Sequence, residues 1–351
     1  MKAPVASPLR FDTGDGRTIY ALSVQAFPGF WGNVYVLDDG ARLTLVDTGS
    51  GFESSNESLL AGLDGVEQTF GRRLRLEDIS CVLITHGHMD HFGGLELVRS
   101  RTTAPVGIHP LDRGVLSHYE ERVVMASKQL RVFLHRAGVS ADMTARVMQM
   151  YLAPKSRYRS LPASFSLEEG KPVAFTDTDG AIVDLGLEVL HTPGHCPGQV
   201  CLLAGEVLLC ADHVLAHTTP HQAPESITLN MGLQHYLDSL GRARRFAVER
   251  RVRLALGGHE DPIEELPERI DQIRAAHERR LDRVLELCAE PRAIAEVSRG
   301  LFDNVRGYNV LLALEETGAH VEYLYHLGEL TAANLDEIEQ QEDPVVRYVR
   351  A

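Results

Sequence analysis

THGHMDHFGG, residues 85–94, is the stretch that decides the fold of this chain. It places three histidines and an aspartate within six positions, directly after the apolar run Cys81–Ile84. Two imidazoles at positions i and i+2 behind a strand point to one side, while the aspartate and the last histidine on the following turn can reach a second point nearby. One metal ion would leave ligands unused. Nitrogen and carboxylate donors of this kind suit Zn²⁺ first, with Fe or Mn as alternatives.

Length and composition indicate a chain that can bury a large core. Its 351 residues, 44% of them hydrophobic, predict two domains or one large domain with an appendage. The formal net charge of −14 repels phosphate backbones and anionic membrane surfaces, so it argues against general nucleic-acid binding and against a membrane partner.

The cysteines and the N-terminus indicate the compartment. Five cysteines, an odd number without small-scaffold spacing, fit a reducing environment. Residues 1–17 lack the apolar core of a signal peptide, and no apolar stretch approaches the roughly eighteen residues that span a bilayer. We therefore predict a cytoplasmic protein.

Strands and helices alternate in the pattern of the first 262 residues. Apolar runs predict strands at residues 19–24, 33–37, 43–46, 81–84, 187–190, 200–203, 207–210 and 252–256. Amphipathic spacing predicts helices at about residues 53–70 and 233–248. This alternation indicates an α/β architecture, in which strand ends bind ligands.

Two regions depart from this alternation. Residues 111–159 read as a helical insert in a catalytic domain of residues 1–262, and residues 263–351 read as a second, mostly helical domain. Residues 99–159 contain eleven basic and four acidic residues, whereas residues 265–351 contain ten basic and eighteen acidic ones. The basic insert favours an anionic substrate, with a solvated helical face as the alternative.

The opening motif resembles the signature of the metallo-β-lactamase superfamily, and further motifs of that family follow in order between about residues 17 and 262. Asp47, in LVDTG, matches an early aspartate that orients the metal ligands. His195, in HTPGHCPG, matches the third histidine of the first metal. Asp212, in CADHVL, matches a bridging carboxylate, and His259, in LGGHED, matches the last histidine of the second metal.

The resemblance implies a four-layer αβ/βα sandwich with two Zn²⁺ ions per chain, Fe or Mn being possible, at the edge between two sheets. The ligands it implies are His86, His88 and His195 for the first metal and Asp90, His91 and His259 for the second, with Asp212 between them. It also gives Asp90 a role in proton handling. Seven ligands for two ions leave room for a bridging water, and metal coordination lowers the pKa of such a water towards about 7.

The predicted function is therefore a dinuclear hydrolase, in which a metal-bridged hydroxide attacks a small, anionic acyl substrate such as a thioester, lactone or ester. A phosphodiesterase or ribonuclease of the same fold is the alternative, and an iron redox protein without hydrolytic turnover is a third class. His88 favours hydrolysis, because flavodiiron members of the superfamily carry glutamate at that position. Asp212 argues against the lactamases that use a cysteine ligand.

The C-terminal stretch at residues 313–324 is similar to the winged-helix-like appendage of the glyoxalase II and β-lactamase-like-protein-2 group. Some members of that group cut single-stranded RNA, but the acidic balance of residues 265–351 argues against a nucleic acid here. We expect this domain to shape one side of the cleft or a homodimer interface. Cys196 and Cys210 flank ligand motifs, and we expect both to be buried apolar side chains.

Overall fold

The computed structural model describes residues 7–177 and 179–351. Across these residues the chain forms two compact units. The first consists of the described residues up to His118 with Ser160–Pro220 and Leu240–Ile270, and the second of Tyr119–Arg159, His221–Ser239 and Asp271–Ala351. The predicted domains, residues 1–262 and 263–351, follow chain order, whereas each unit is built from three segments, and most of the predicted insert belongs to the second unit.

The first unit contains most of the strands. These strands are β1 (Leu9–Asp12), β2 (Thr18–Phe27), β3 (Phe30–Asp38), β4 (Leu43–Val46), β5 (Ile79–Ile84), β6 (Val106–Ile108), β7 (Phe165–Ser166), β8 (Ala174–Thr176), β9 (Ile182–Asp184), β10 (Glu188–His191), β11 (Val200–Ala204), β12 (Val207–Ala211) and β13 (Leu254–Gly257). Its helices are α1 (Glu53–Phe70), α2 (Met89–Phe92), α3 (Leu95–Arg99) and α4 (Arg113–Ser117), with a 3₁₀ turn at Leu76–Asp78.

Two mixed sheets pack face to face in the first unit. Strands β1 to β7 lie side by side in chain order, antiparallel from β1 to β4 and parallel from β4 to β7. Strands β10 to β13 form the other sheet, in which β12 and β13 are parallel. One core joins buried side chains of both sheets, among them Val46, Leu83, Val189, Leu202 and Leu209. This arrangement confirms the predicted α/β fold class.

Local sequence explains the elements around the site. In α1, Leu59, Leu63 and Val66 recur at helical spacing and are buried. Gly71 caps the helix after Phe70, because its positive φ of 70° suits glycine and its N–H donates to the carbonyl of Glu67. All four residues of β4 are buried, as expected of a strand covered on both faces.

The second unit is mainly helical. Its helices include α5 (Tyr119–Arg136), α6 (Ala141–Lys155), α9 (Ile294–Leu301), α10 (Asn309–His326) and α11 (Leu335–Gln340), while α7 (Leu233–Glu249) and α8 (Leu266–Leu287) contribute residues to both units. The apolar faces of α5 and α6 share one core with those of α9 and α10, which explains why the insert groups with the C-terminal segments.

A small antiparallel sheet, which the sequence did not predict, accompanies the helices of residues 263–351. It consists of β14 (Arg292–Ala293), β15 (Leu330–Ala332) and β16 (Arg347–Arg350), with β16 in the middle. These strands have two to four residues, which is too short for an alternating pattern to show in the sequence.

Within the described part of the chain, no helix is long and apolar enough to cross a membrane. The cytoplasmic location stays a prediction. Residues 1–6, which contribute to the prediction that no signal peptide is present, lie outside the described residues.

Candidate metal centre

The predicted site residues lie where buried strands of the first unit end. Asp47 directly follows β4, and His86 comes two residues after β5, which is the parallel neighbour of β4. Asp212 directly follows β12, and His259 comes two residues after its parallel neighbour β13. Because neighbouring parallel strands end at the same edge of a sheet, each pair of residues is delivered to one place.

The structure brings all seven predicted ligands together. Their ligand atoms form overlapping groups, each within 4.8 Å, made of His86, His88 and His195 (with Cys196), of Asp90, His91 and His259, and of His86, His91 and Asp212. In the first of these groups, His86 Nε2 lies 3.2 Å from His88 Nδ1. The rings of His88 and His195 meet edge to face, with centroids 4.5 Å apart.

Asp212 lies between the two histidine groups. Its Oδ1 is 3.5 Å from His91 Nε2, and its Oδ2 is 3.6 Å from His195 Nε2 and 3.3 Å from His259 Nε2. Its carboxylate therefore faces one histidine of the first group and two of the second. This is the position that a bridging ligand would need.

Hydrogen bonds on the outer side of the rings fix their orientation. His91 Nδ1 donates to Asp47 Oδ2 over 2.7 Å, so its Nε2 faces inward. The same aspartate accepts from the N–H and the hydroxyl of Thr85, both at 2.8 Å. Asp47 holds this pose with a φ of 61°, a left-handed backbone that is costly for a residue with a side chain and is typical of functional sites.

His259 is held in a similar way by a backbone group. Its Nδ1 donates to the carbonyl oxygen of Trp31 over 2.7 Å, which turns Nε2 towards Asp90 Oδ2 at 3.5 Å. The ring of Phe30 packs on the imidazole with centroids 4.7 Å apart. The start of β3 therefore positions His259 with one carbonyl and one aromatic face.

The electrostatics of the centre are dominated by its carboxylates. Burial alone would raise the pKa of Asp90 and of Asp212, but the imidazoles of His91 and His259 hold both pKa values below the ordinary value for aspartate. Burial would lower the pKa of His259, yet Asp212 and Asp90 raise it to about 10. Burial lowers the pKa of His86 and of His88 well below the usual range, so these rings are neutral donors. The centre attracts cations.

Two buried atoms fit a bound cation directly. His91 Nε2 and Asp212 Oδ1 are both buried, face each other at 3.5 Å, and have no hydrogen-bond partner among the described residues. Buried polar atoms are normally paired, because an unpaired one costs about 1–3 kcal/mol. An imidazole nitrogen and a carboxylate oxygen are donors that Zn²⁺ prefers. The residues present therefore fit divalent cations.

Sequence reasoning missed some of the supporting groups. The Trp31 carbonyl could belong to any residue type, so no side-chain signal marks it. Asp112 is buried and bonds the backbone of two ligand-bearing loops, but it is a single aspartate in a basic stretch. Cys196 and Cys210 are buried, as predicted, and burial raises the pKa of both thiols.

Comparison with known proteins identifies the family to which this chain is similar. A family model described as "Metallo-beta-lactamase superfamily" matches residues 29–259. A curated relative, "Probable metallo-hydrolase YqjP" of Bacillus subtilis (strain 168), is 24% identical over 297 residues, which are 84% of this chain and 88% of that protein. The "Atrochrysone carboxyl ACP thioesterase" of Aspergillus fumigatus is 25% identical over 255 residues, which are 72% of this chain and 58% of that protein.

A solved structure is similar over nearly the whole chain. The crystal structure of a metallo-beta-lactamase family protein from Thermus thermophilus has a TM-score of 0.73 at 27% identity. The match covers 95% of this chain and 98% of that one.

Proposed function

The chain belongs to the metallo-β-lactamase superfamily and is a metal-dependent hydrolase, and on that premise we propose that it hydrolyses a small, anionic acyl substrate at a centre of two metal ions. The observation that carries the proposal is the position of Asp212, whose oxygens lie 3.3–3.6 Å from histidine nitrogens of both ligand groups. A carboxylate so placed can be shared by two cations. The proposed ligands are the seven residues named above, and Zn²⁺ is the proposed metal.

Two divalent cations bound there would polarise the carbonyl oxygen of the substrate and lower the pKa of a water molecule towards about 7. The protein side chains supply the rest. Asp47 and the Trp31 carbonyl each accept a hydrogen bond from the Nδ1–H of a histidine, which leaves Nε2 as the atom that can bind a metal ion. Asp90, whose pKa is held low, is ionised at neutral pH, and we assign to its carboxylate the acceptance of a proton from the attacking water and its transfer to the leaving group.

One further observation supports the acyl class of the substrate, and another supports its negative charge. One relative bears the name of a thioesterase. The region of residues 99–159 has eleven basic and four acidic residues in a chain whose net charge is −14, which favours a negatively charged substrate. We further propose that residues 263–351 form a winged-helix-like domain and that the protein acts in the cytoplasm.

A reconstituted substrate screen tests this function. Purified protein would be stripped with a chelator, reloaded with Zn²⁺, Fe²⁺ or Mn²⁺, and assayed against thioesters, lactones, phosphodiesters and β-lactams, with metal content measured by elemental analysis. We expect two ions per chain and hydrolysis of a thioester or lactone. A preference for phosphodiesters, or for an RNA, would contradict the acyl assignment. A single bound iron with oxygen consumption would contradict hydrolysis altogether.

A further inference from the structure

Asp112 is a buried carboxylate that joins two loops of the first unit. It is 1% exposed. Its Oδ2 accepts the backbone N–H of Gly87 over 2.8 Å, and its Oδ1 accepts the backbone N–H of Gly198 over 2.9 Å. Each oxygen therefore holds a different loop, and the distance between the two loops is set by the width of one carboxylate.

These two loops carry the three histidines of the first ligand group. Gly87 lies between His86 and His88, and Gly198 lies three residues after His195. A change in the spacing of the two glycine N–H groups would change the separation of His195 from the other two rings. Because Asp112 holds the backbone of both loops, it acts on the imidazoles through the chain that carries them.

Both glycines have close neighbours, and Gly198 lies directly against Asp112. A Cβ on Gly198 would lie 2.6 Å from Asp112 Cγ and 2.9 Å from its backbone nitrogen. A Cβ on Gly87 would lie 2.9 Å from Val115 Cγ2 and 3.3 Å from Asp112 Oδ2. Real Cβ atoms essentially never approach other atoms within 3.0 Å, so the close approach of Asp112 depends on glycine at position 198, and a side chain at position 87 would displace Val115. This gives a structural reason for the glycines in HGH and in CPG.

The turn that carries Asp112 is itself held in place by hydrogen bonds and by ring stacking. It follows β6, the parallel neighbour of β5, and the Asp112 N–H bonds the carbonyl of His109 over 3.0 Å. The His109 ring stacks on that of His191 with centroids 4.0 Å apart and planes 13° apart. His191 Nε2 in turn donates to the carbonyl of Pro197 over 2.8 Å. A second contact therefore links the same turn to the His195 loop.

We propose that Asp112 is a positioning residue, which sets the separation of His195 from His86 and His88 and thereby controls how tightly and in what geometry this half of the centre binds its cation. The proposal rests on the proposed metal-dependent function. A carboxylate is needed because two N–H groups must be accepted at once. An asparagine offers one acceptor and would turn an NH₂ group towards the other N–H.

The test compares cation binding in Asp112→Asn and Asp112→Ala with that in Asp38→Ala. Asp38 is a matched control in the same unit, because it is also buried and accepts from Arg72 Nε at 2.6 Å and from the Gly40 N–H at 2.9 Å. Each protein would be loaded with Co²⁺ or Zn²⁺ and titrated with a chromophoric chelator, and the visible spectrum of the cobalt form would be recorded.

We expect one of the two cations to bind about 10- to 100-fold more weakly in both Asp112 variants, with an altered cobalt absorption band, while the other cation keeps its affinity. Asp38→Ala should keep both affinities and the wild-type spectrum even where its thermal stability falls. Asp112→Asn retains one of the two hydrogen bonds and serves as the folded variant if Asp112→Ala does not fold.

Wild-type affinities and spectra in both Asp112 variants would overturn the positioning role. That result differs from a failure of the proposed function. Weakened binding in the Asp112 variants of a protein that hydrolyses no acyl substrate would support the positioning role and contradict only the substrate assignment. Failure of the wild type to bind any cation would overturn both.

Discussion

Asp47 Oδ2 accepts a 2.7 Å hydrogen bond from His91 Nδ1, and both side chains are 3% exposed or less. The bond leaves His91 with its second nitrogen facing Asp212. The same carboxylate accepts hydrogen bonds from the Thr85 N–H and hydroxyl. One side chain therefore connects the end of β4 to the end of β5 and to the turn that follows. Orientation of the ligands is thus built in before any cation binds.

Replacing Asp47 by Ala should weaken cation binding and turnover together. Partners of this kind typically contribute about 10- to 100-fold in metal affinity or activity, because a freely rotating imidazole must be ordered again on binding. Loss of the three accepted bonds also leaves the buried Thr85 N–H unpaired, at a cost of about 1–3 kcal/mol. Metal content and kcat/KM would be measured for the wild type, for Asp47→Ala and for Asp47→Asn. An unchanged kcat/KM in Asp47→Ala would show that His91 needs no such support.

Gly258 leaves the space in which Asp212 and His91 face each other. A Cβ there would overlap Asp212 Oδ1 and lie 2.7 Å from His91 Cε1. We expect Gly258→Ala to lower kcat/KM by at least about 100-fold, because ligand shifts of about 1 Å have effects of that size. Gly32→Ala is the matched control, since its Cβ would meet His259 Cε1 at an ordinary 3.5 Å. Equal activity of the two variants would contradict the crowding argument.

The sequence revealed those parts of the site that side-chain chemistry and strand patterns mark. Asp47, His86, Asp212 and His259 each follow an apolar run, and the structure confirms these runs as β4, β5, β12 and β13. Burial on both faces makes such strands read as continuous apolar stretches, so their ends could be located closely. The helix predicted at about residues 53–70 from its amphipathic spacing spans Glu53–Phe70 in the structure.

Groups that act through the backbone could not be found in this way. The Trp31 carbonyl needs no particular side chain. The role of Asp112 becomes visible only through the hydrogen bonds that it accepts from two backbone N–H groups. The strands β14, β15 and β16 are set by long-range pairing rather than by a local pattern. Grouping of the insert with C-terminal helices likewise depends on contacts between distant segments, such as those of Phe133 and Leu314 in one core.

Replacing Asp212, the proposed bridging carboxylate, should lower turnover strongly without unfolding the protein. Bound cations contribute several kcal/mol to stabilising a transition state, so we expect Asp212→Ala to lower kcat by two to three orders of magnitude, at about 1.4 kcal/mol per tenfold. Asp261→Ala is a suitable control, because Asp261 is exposed and pairs with the exposed His217. Circular dichroism and metal content would be compared. Wild-type turnover by Asp212→Ala would rule out a centre in which this residue bridges.

A buried histidine pair in the second unit should make that unit sensitive to acid. His320 donates through Nδ1 to the Glu316 carbonyl, and its Nε2 lies 3.1 Å from His277 Nδ1. Although His277, Glu316 and His320 cluster closely enough to hold a cation, Arg280 donates to the Glu316 carboxylate at 2.9 Å and repels one. Burial lowers the pKa of His277 to about 3 and also lowers that of His320. The cluster is therefore a network of neutral imidazoles.

The sign of the pH effect follows from these pKa shifts. An unfolded histidine takes up a proton near pH 6.5, whereas His277 in the folded chain does so only near pH 3. The contribution of the neutral His277 to the free energy of unfolding is therefore complete above about pH 6.5 and is lost progressively as the pH falls towards 3. For this one residue, the free energy of unfolding should fall by about 2 kcal/mol between pH 7 and pH 5.

His277→Asn tests this effect, because the asparagine amide can donate to His320 Nε2 in the place of Nδ1 and does not titrate. Urea unfolding of the metal-free protein would be followed by circular dichroism at several pH values between 5 and 7.5. As the pH falls over that range, the free energy of unfolding of the wild type should decrease by about 2 kcal/mol more than that of His277→Asn. His326→Asn, at the exposed end of α10, should keep the full wild-type dependence. If His277→Asn also kept the full wild-type pH dependence, burial of a neutral His277 could not be the source of the acid sensitivity.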